Sequence, residues 1–127
     1  MTSKPSREWS SEELRVLSDT IEIEVSASRG DGSFGRWTTI WAVVAGAEVF
    51  VRTWHRRETG WYGGAVRSGA ARVLVGDTTV DVTVEAIGDT DAANVDAAYR
   101  SKYGDLAARS MVTAEAAAST LRLIPRR

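Results

Sequence analysis

Short runs of apolar residues alternate with polar ones, and a glycine closes almost every run. Ile21, Ile23, Val25 and Ala27 alternate with Glu22, Glu24 and Ser26. Val80, Val82 and Val84 alternate with Asp81, Thr83 and Glu85. A period of two places one set of side chains on each face of a strand, so these segments are strands with one wet face. Glycine-bearing turns at Arg29–Gly35, Gly46 and Gly76–Asp77 connect the runs and make neighbouring strands antiparallel hairpins. A chain built this way folds as a sheet that curls on itself.

Two further runs behave differently. Arg36 to Ala45 is apolar on both faces, which predicts a strand covered on both sides. Glu48 to Trp54 sets Val49, Val51 and Thr53 on one face and Phe50, Arg52 and Trp54 on the other. Ala71 to Val75 and Thr120 to Ile124 complete six expected strands. Helices fall between them. Ser10-Ser11-Glu12-Glu13 is a capping box that starts a helix running to about Ser18. Thr59 is placed to cap a short helix from Trp61 to Ser68, stopped by Gly69. Asp89 to about Tyr103 is the longest helix, with Val95, Tyr99 and Tyr103 on one stripe, an exposed Asp96–Arg100 pair, and Lys102 as a solvated charge off the stripe. Thr113 caps a final Ala-rich turn. The expected architecture is mostly β (α+β): a small six-stranded antiparallel split barrel with peripheral helices. Residues 1–9 read as a flexible lead-in and 10–127 as one domain, consistent with a 127-residue chain.

Composition limits the chemistry. With no cysteine and one histidine, neither thiolate zinc sites nor thiol nucleophiles are available, and no metal is expected. The N-terminus lacks the apolar core of a secretory signal, no run is long enough to cross a bilayer, and a cytoplasmic setting is expected. A net charge of −1 gives no global field toward nucleic acid or membrane. Charge is nonetheless uneven. Between Arg52 and Arg72 there are five arginines, His55 and a single acid, Glu58.

Four of the five tryptophans, Trp37, Trp41, Trp54 and Trp61, fall between positions 37 and 61, and the last two lie within that basic stretch. Flat aromatic faces beside guanidinium forks suit a planar anionic ligand. Trp37 and Trp41, four apart on one strand, read as core or interface. Trp54 and Trp61 flank the basic loop and are the better ligand candidates. Arg52, Arg56 and Arg57 are candidates for gripping a phosphate, although Arg52, on an apolar strand face, needs either a ligand or a buried acid. His55 and Tyr62 are the candidate proton-transfer groups. The amides that start the 61–68 helix can also receive an anion.

The runs TTIWAVVAGAEVFVRTW, GWYGGAVRSGAARVLVGD, VDAAYRSKYG and TLRLIP, in that order, resemble a small uncharacterised bacterial domain-of-unknown-function family. That family is similar to the split β-barrels of FMN-binding oxidases and of deazaflavin-dependent nitroreductases and quinone reductases. The resemblance implies a homodimer that binds FMN or a deazaflavin and acts as an oxidoreductase on a small organic substrate. By the same resemblance, Trp61-Tyr62 stands at the cofactor-side helix start and Thr53 is the small polar residue beside the cofactor. Gly35-Arg36-Trp37-Thr38-Thr39 is the nearest counterpart of a Gly-Arg-Lys-Ser-Gly phosphate loop, and Gly63-Gly64 replace the usual Asn. A departure in the phosphate loop keeps an alternative open: a cofactor-free small-molecule binder or isomerase-type enzyme using the same aromatic and basic pocket.

Overall fold

The alternating runs become strands of one sheet. The computed structural model describes residues 6–53 and 60–127. In chain order the elements are α1 (Ser11–Asp19), β1 (Ile23–Ala27), β2 (Thr38–Ile40), β3 (Ala42–Ala45), β4 (Glu48–Val51), α2 (Gly60–Ser68), β5 (Ala70–Val75), β6 (Thr78–Ala86), α3 (Ala92–Tyr103), α4 (Asp105–Ala108), a 3₁₀ turn (Arg109–Met111), α5 (Ala114–Ala118) and β7 (Leu121–Pro125).

The sheet order is β2-β1-β5-β6-β7-β4-β3, and every neighbouring pair is antiparallel. The two strands at its edges, β2 and β3, are separated in the chain by Trp41 alone. The sheet therefore rolls up until its edges meet through a single residue. The result is a nearly closed barrel whose two edge strands, β2 and β3, are short, which limits the edge open to pairing with other chains. This corrects the expected strand count. The run 36–45 is not one strand: its first part pairs with β1 and its second with β4. A strand that must change partners at a barrel corner breaks there, and six expected strands become seven.

Glycine makes two of the hairpins. Gly46 and Gly76 each have φ +63°, a backbone state open to glycine and strained for other residues.

The barrel interior holds Val25, Val49, Val51, Val73, Val82, Leu121 and Leu123, joined by Leu17 of α1 and Ala65 of α2. A second apolar cluster lies outside the barrel, where Val43 and Phe50 meet Val95 and Tyr99 of α3, with Ala108 and Met111. Strand β4 is thus buried on both faces, in the alternation its sequence predicts. Each large side chain buried in these clusters contributes roughly 2 kcal/mol of transfer free energy.

The chain is anchored ahead of α1. Ser10 Oγ accepts from the Glu13 amide at 3.1 Å, and the Glu13 carboxylate accepts from the Ser10 amide at 2.9 Å, which completes the expected capping box. Arg7 adds two 2.8 Å bonds to Glu13. Trp9 is buried and donates its Nε1 proton to the Leu123 carbonyl at 3.0 Å, and Ser6 bridges Arg126. Residues 6–9, expected within the lead-in, are therefore packed along β7.

Candidate functional site

Beyond the end of β1 the chain continues as a tied extension. Ser28 bridges Phe34, the Arg29 amide donates to Ser33, and the Gly35 amide donates to Ala27 at 2.8 Å. Asp31 accepts from the Ser33 amide at 2.9 Å, an Asx turn that fixes the tip. The Arg72 guanidinium lies 3.7 Å from the centroid of the Phe34 ring and braces the base. Helix α2 packs against β1 at Gly64. A Cβ built there would sit 3.3 Å from Ala27 Cβ, so glycine is what permits this close approach.

Between the extension and α2 lies a cleft of about 640 Å³. Ala27 and Gly64 form part of its lining, with Ser28, Gly35, Thr38 and Ser68. The indole of Trp61 faces it, as do Arg29, Arg36 and Arg67 and the first residue of α2, Gly60. Among the described residues, no acid lines it. Three guanidinium groups on one rim favour an anion, and the half-buried Trp61 offers a flat apolar face to a ring. The volume is in the usual range for small-molecule pockets.

Two of the sequence candidates, Arg36 and Trp61, therefore meet at one cleft. Others lie elsewhere. Tyr62 is buried, its hydroxyl donates to the Ser119 carbonyl at 2.9 Å, and its ring meets Trp61 edge-on at 5.6 Å. It braces Trp61 from behind instead of lining the cleft. The Thr53 amide donates to Ser119 Oγ at 3.0 Å. Trp54, His55, Arg56, Arg57 and the expected cap Thr59 lie outside the described residues.

Arg52 is drawn into the protein. Its side chain has no exposure. Nε donates to Thr120 Oγ1 at 2.8 Å, and Nη1 donates to Asp96 Oδ1 at 2.5 Å and to the Met111 carbonyl at 2.7 Å. The guanidinium also stands 5.5 Å from the Tyr99 ring centroid. Its carboxylate partner is the partly buried Asp96, and Arg52 is not among the residues that line the cleft. Asp96, expected to pair with Arg100 on the surface, turns toward β4 because an unpaired buried guanidinium is far costlier than a lost surface pair.

Two other expectations change. Trp37 and Trp41 do not share a face, because the chain turns its corner at Trp41. Trp37 is 41% exposed, whereas Trp41 stacks on Tyr103 with centroids 3.9 Å apart and planes 8° apart. Lys102 is not a solvated charge: Nζ donates to the Leu17 carbonyl at 2.8 Å and the Ala42 carbonyl at 2.6 Å. Burial pushes its ammonium down to about 8 and the Tyr103 phenol up to about 12.

The sequence reading missed Arg29 and Arg67 as cleft residues. Arg29 sits in a glycine-rich turn that carried no ligand motif. Arg67 had a helical cue: Trp61, Gly64 and Ser68 follow the i, i+3, i+7 spacing of one α2 face, and Arg67 borders it.

These features define a class: a small, nearly closed antiparallel barrel with an aromatic and basic cleft between its first strand and an external helix. The family described as "Uncharacterized protein conserved in bacteria (DUF2255)" matches residues 13–123, and the chain belongs to that family. Solved structures of the same fold include a conserved hypothetical protein from Mycobacterium tuberculosis (TM-score 0.66, 16% identity, 99% of this chain and 87% of that one). A putative pyridoxamine 5'-phosphate oxidase from Listeria innocua aligns with a TM-score of 0.58 at 13% identity, over 90% of each chain. An FAD-binding protein from Mesorhizobium loti aligns with a TM-score of 0.57 at 14% identity, over 94% of this chain and 91% of that one. No curated protein matches the chain in sequence. Among the described residues, no group of three or more His, Asp or Glu side chains is placed to hold a metal, and no helix is long and apolar enough to cross a membrane.

Proposed function

We propose that the protein binds a flavin or deazaflavin in the cleft between β1 and α2 and serves as an oxidoreductase acting on a small organic substrate. The observation that carries this reading is the meeting of Arg36 and Trp61 at one 640 Å³ cleft. By the resemblance Trp61 stands at the ring-side helix start, Arg36 lies in the nearest counterpart of the phosphate loop, and the two are 25 positions apart in the chain. Support also comes from fold relatives named as FAD-binding and as an F420 reductase, the latter at a TM-score of 0.52 and 16% identity.

In this reading Trp61 supplies a face for the ring, held at its angle by Tyr62. Arg36, with Arg29 and Arg67 on the same rim, draws the anionic tail. The bound cofactor supplies the hydride chemistry, and the protein supplies position and electrostatics. The reading extends to a cytoplasmic homodimer. Trp37 and Val66, each next in sequence to a cleft arginine, are exposed apolar side chains that a second copy would cover.

The test is a titration of purified protein with FMN, FAD and F420, followed by tryptophan fluorescence and calorimetry. Quenching that disappears in Trp61→Phe supports the proposal. Absence of heat and of quenching with all three at saturation would remove it. One observation favours the alternative of a cofactor-free small-molecule binder: Arg52, anticipated at the phosphate, is engaged inside the protein. That alternative predicts binding of small anionic aromatic acids by a protein that ignores all three cofactors.

A further inference from the structure

A second cleft, of about 390 Å³, opens between α1 and α3 and shares no residue with the first. It is lined by Ser18, Val44, Ala98, Ser101 and Lys102. Among the described residues its walls are small and carry two hydroxyls but, apart from Lys102, no charge.

Three observations single out Lys102. Its amine makes no ion pair with any carboxylate among the described residues. It donates to two backbone carbonyls, those of Leu17 and Ala42. It is half-buried at the edge of the cleft. A lysine ammonium has three N–H donors, whereas the neutral amine has two N–H donors and one lone pair. Two fixed acceptors match the donor count of the neutral amine and leave the remaining position of the nitrogen for a lone pair.

We propose that Lys102 is a nucleophilic amine that condenses with small, uncharged aldehydes in the cleft between α1 and α3. The nitrogen lone pair adds to the carbonyl carbon, and the carbonyl oxygen leaves as water after taking up protons. A C=N bond takes the place of C=O, with no oxidant or reductant required. The protonated imine retains one N–H. One of the two carbonyls keeps this donor and the other gives it up, because the Tyr103 hydroxyl proton is committed to the Ile21 carbonyl at 2.6 Å. The uncharged walls select against keto acids and aldehyde phosphates.

The surroundings bear on the titration from each packed element. From α1, Asp19 acts on the amine through space and favours its charged form, but Asp19 also lies 3.5 Å from Arg15. On α3, the Tyr103 ring centroid is 5.2 Å from Nζ, and Glu22 acts in turn on Tyr103. Strand β3 brings no titratable side chain. Burial outweighs Asp19 and holds the amine at about 8. At pH 7 roughly a tenth of such an amine is free base, against well under a thousandth for an ordinary lysine.

The sequence makes the test clean, because Lys4 and Lys102 are the only lysines. The folded protein is treated with propionaldehyde and cyanoborohydride across pH about 6 to about 10, and alkylation at each lysine is read by peptide mass spectrometry. Lys102 should label at least about tenfold faster than Lys4 at neutral pH, with a half-maximal rate near pH 8. Selectivity should vanish in urea. Equal or slower labelling of Lys102, a rate still climbing at the top of the pH range, or selectivity that survives urea would each overturn the proposal. Any of these would leave Lys102 a charged clamp between α1 and β3.

Discussion

The Tyr62 hydroxyl donates to the Ser119 carbonyl across 57 positions of sequence, at 2.9 Å. The Ser119 hydroxyl meanwhile accepts from the Thr53 amide at 3.0 Å and lies 2.9 Å from the Thr53 carbonyl. One fully buried serine thus ties down both flanks of segment 54–59 and, through Tyr62, the indole at the cleft.

Replacing Ser119 by Ala leaves the partly buried Thr53 amide without this acceptor. Loss of about 1–3 kcal/mol of stability is expected by urea denaturation. Tyr62→Phe retains the ring and its edge contact with Trp61 but loses the hydroxyl, so a smaller loss of about 1 kcal/mol is expected, with a shift in the Trp61 emission.

The Arg52–Asp96 pair predicts non-additive energetics. Asp96→Ala leaves a buried guanidinium without its carboxylate and is expected to cost about 3 kcal/mol. Arg52→Met combined with Asp96→Ala should cost clearly less than the sum of the single changes. A double-mutant cycle in urea measures the coupling, and strict additivity would contradict the pairing.

Acid sensitivity follows from Glu13. Its hydrogen bonds with Arg7 lead the effects that hold its carboxyl at about 2, below its ordinary value. A lowered folded-state value stabilises the protein above the unfolded value, near 4.5. This contribution fades as pH falls from there toward about 2. With partial exposure of both side chains, the contribution is on the order of 1–2 kcal/mol. In Glu13→Gln, the stability curve between these limits should be flatter than in the parent protein.

The cleft makes a steric and an electrostatic prediction. Gly64→Leu drives a side chain into the 3.3 Å approach to Ala27, and a loss of about 1–3 kcal/mol with weaker cofactor binding is expected. Arg36→Ala leaves the fold intact and should weaken binding of the phosphorylated cofactor by about tenfold, with reduced salt dependence. Unchanged affinity would place the anion elsewhere.

The sequence by itself determined what depends on near neighbours in the chain. Alternation at Ile23–Ala27 and Val80–Glu85, the Ser10–Glu13 capping box, the Gly46 and Gly76 turns and the Thr113 cap are all settled within a few residues, where spacing fixes geometry. Arg36 and Trp61 were legible as ligand candidates because residue type and family resemblance both marked them. Tertiary structure alone decided the rest. The break at Trp41 exists because a closing barrel must hand one run of chain from β1 to β4. Arg52 found Asp96, 44 positions away, and Lys102 found Ala42 and Leu17, 60 and 85 positions away, because burial compels a polar group to take whichever partner the packed fold brings within reach. No local pattern encodes such a partner. The cleft itself arises where Gly64 lets α2 close on Ala27, which joins a turn arginine and a helix arginine that nothing in the linear order connects.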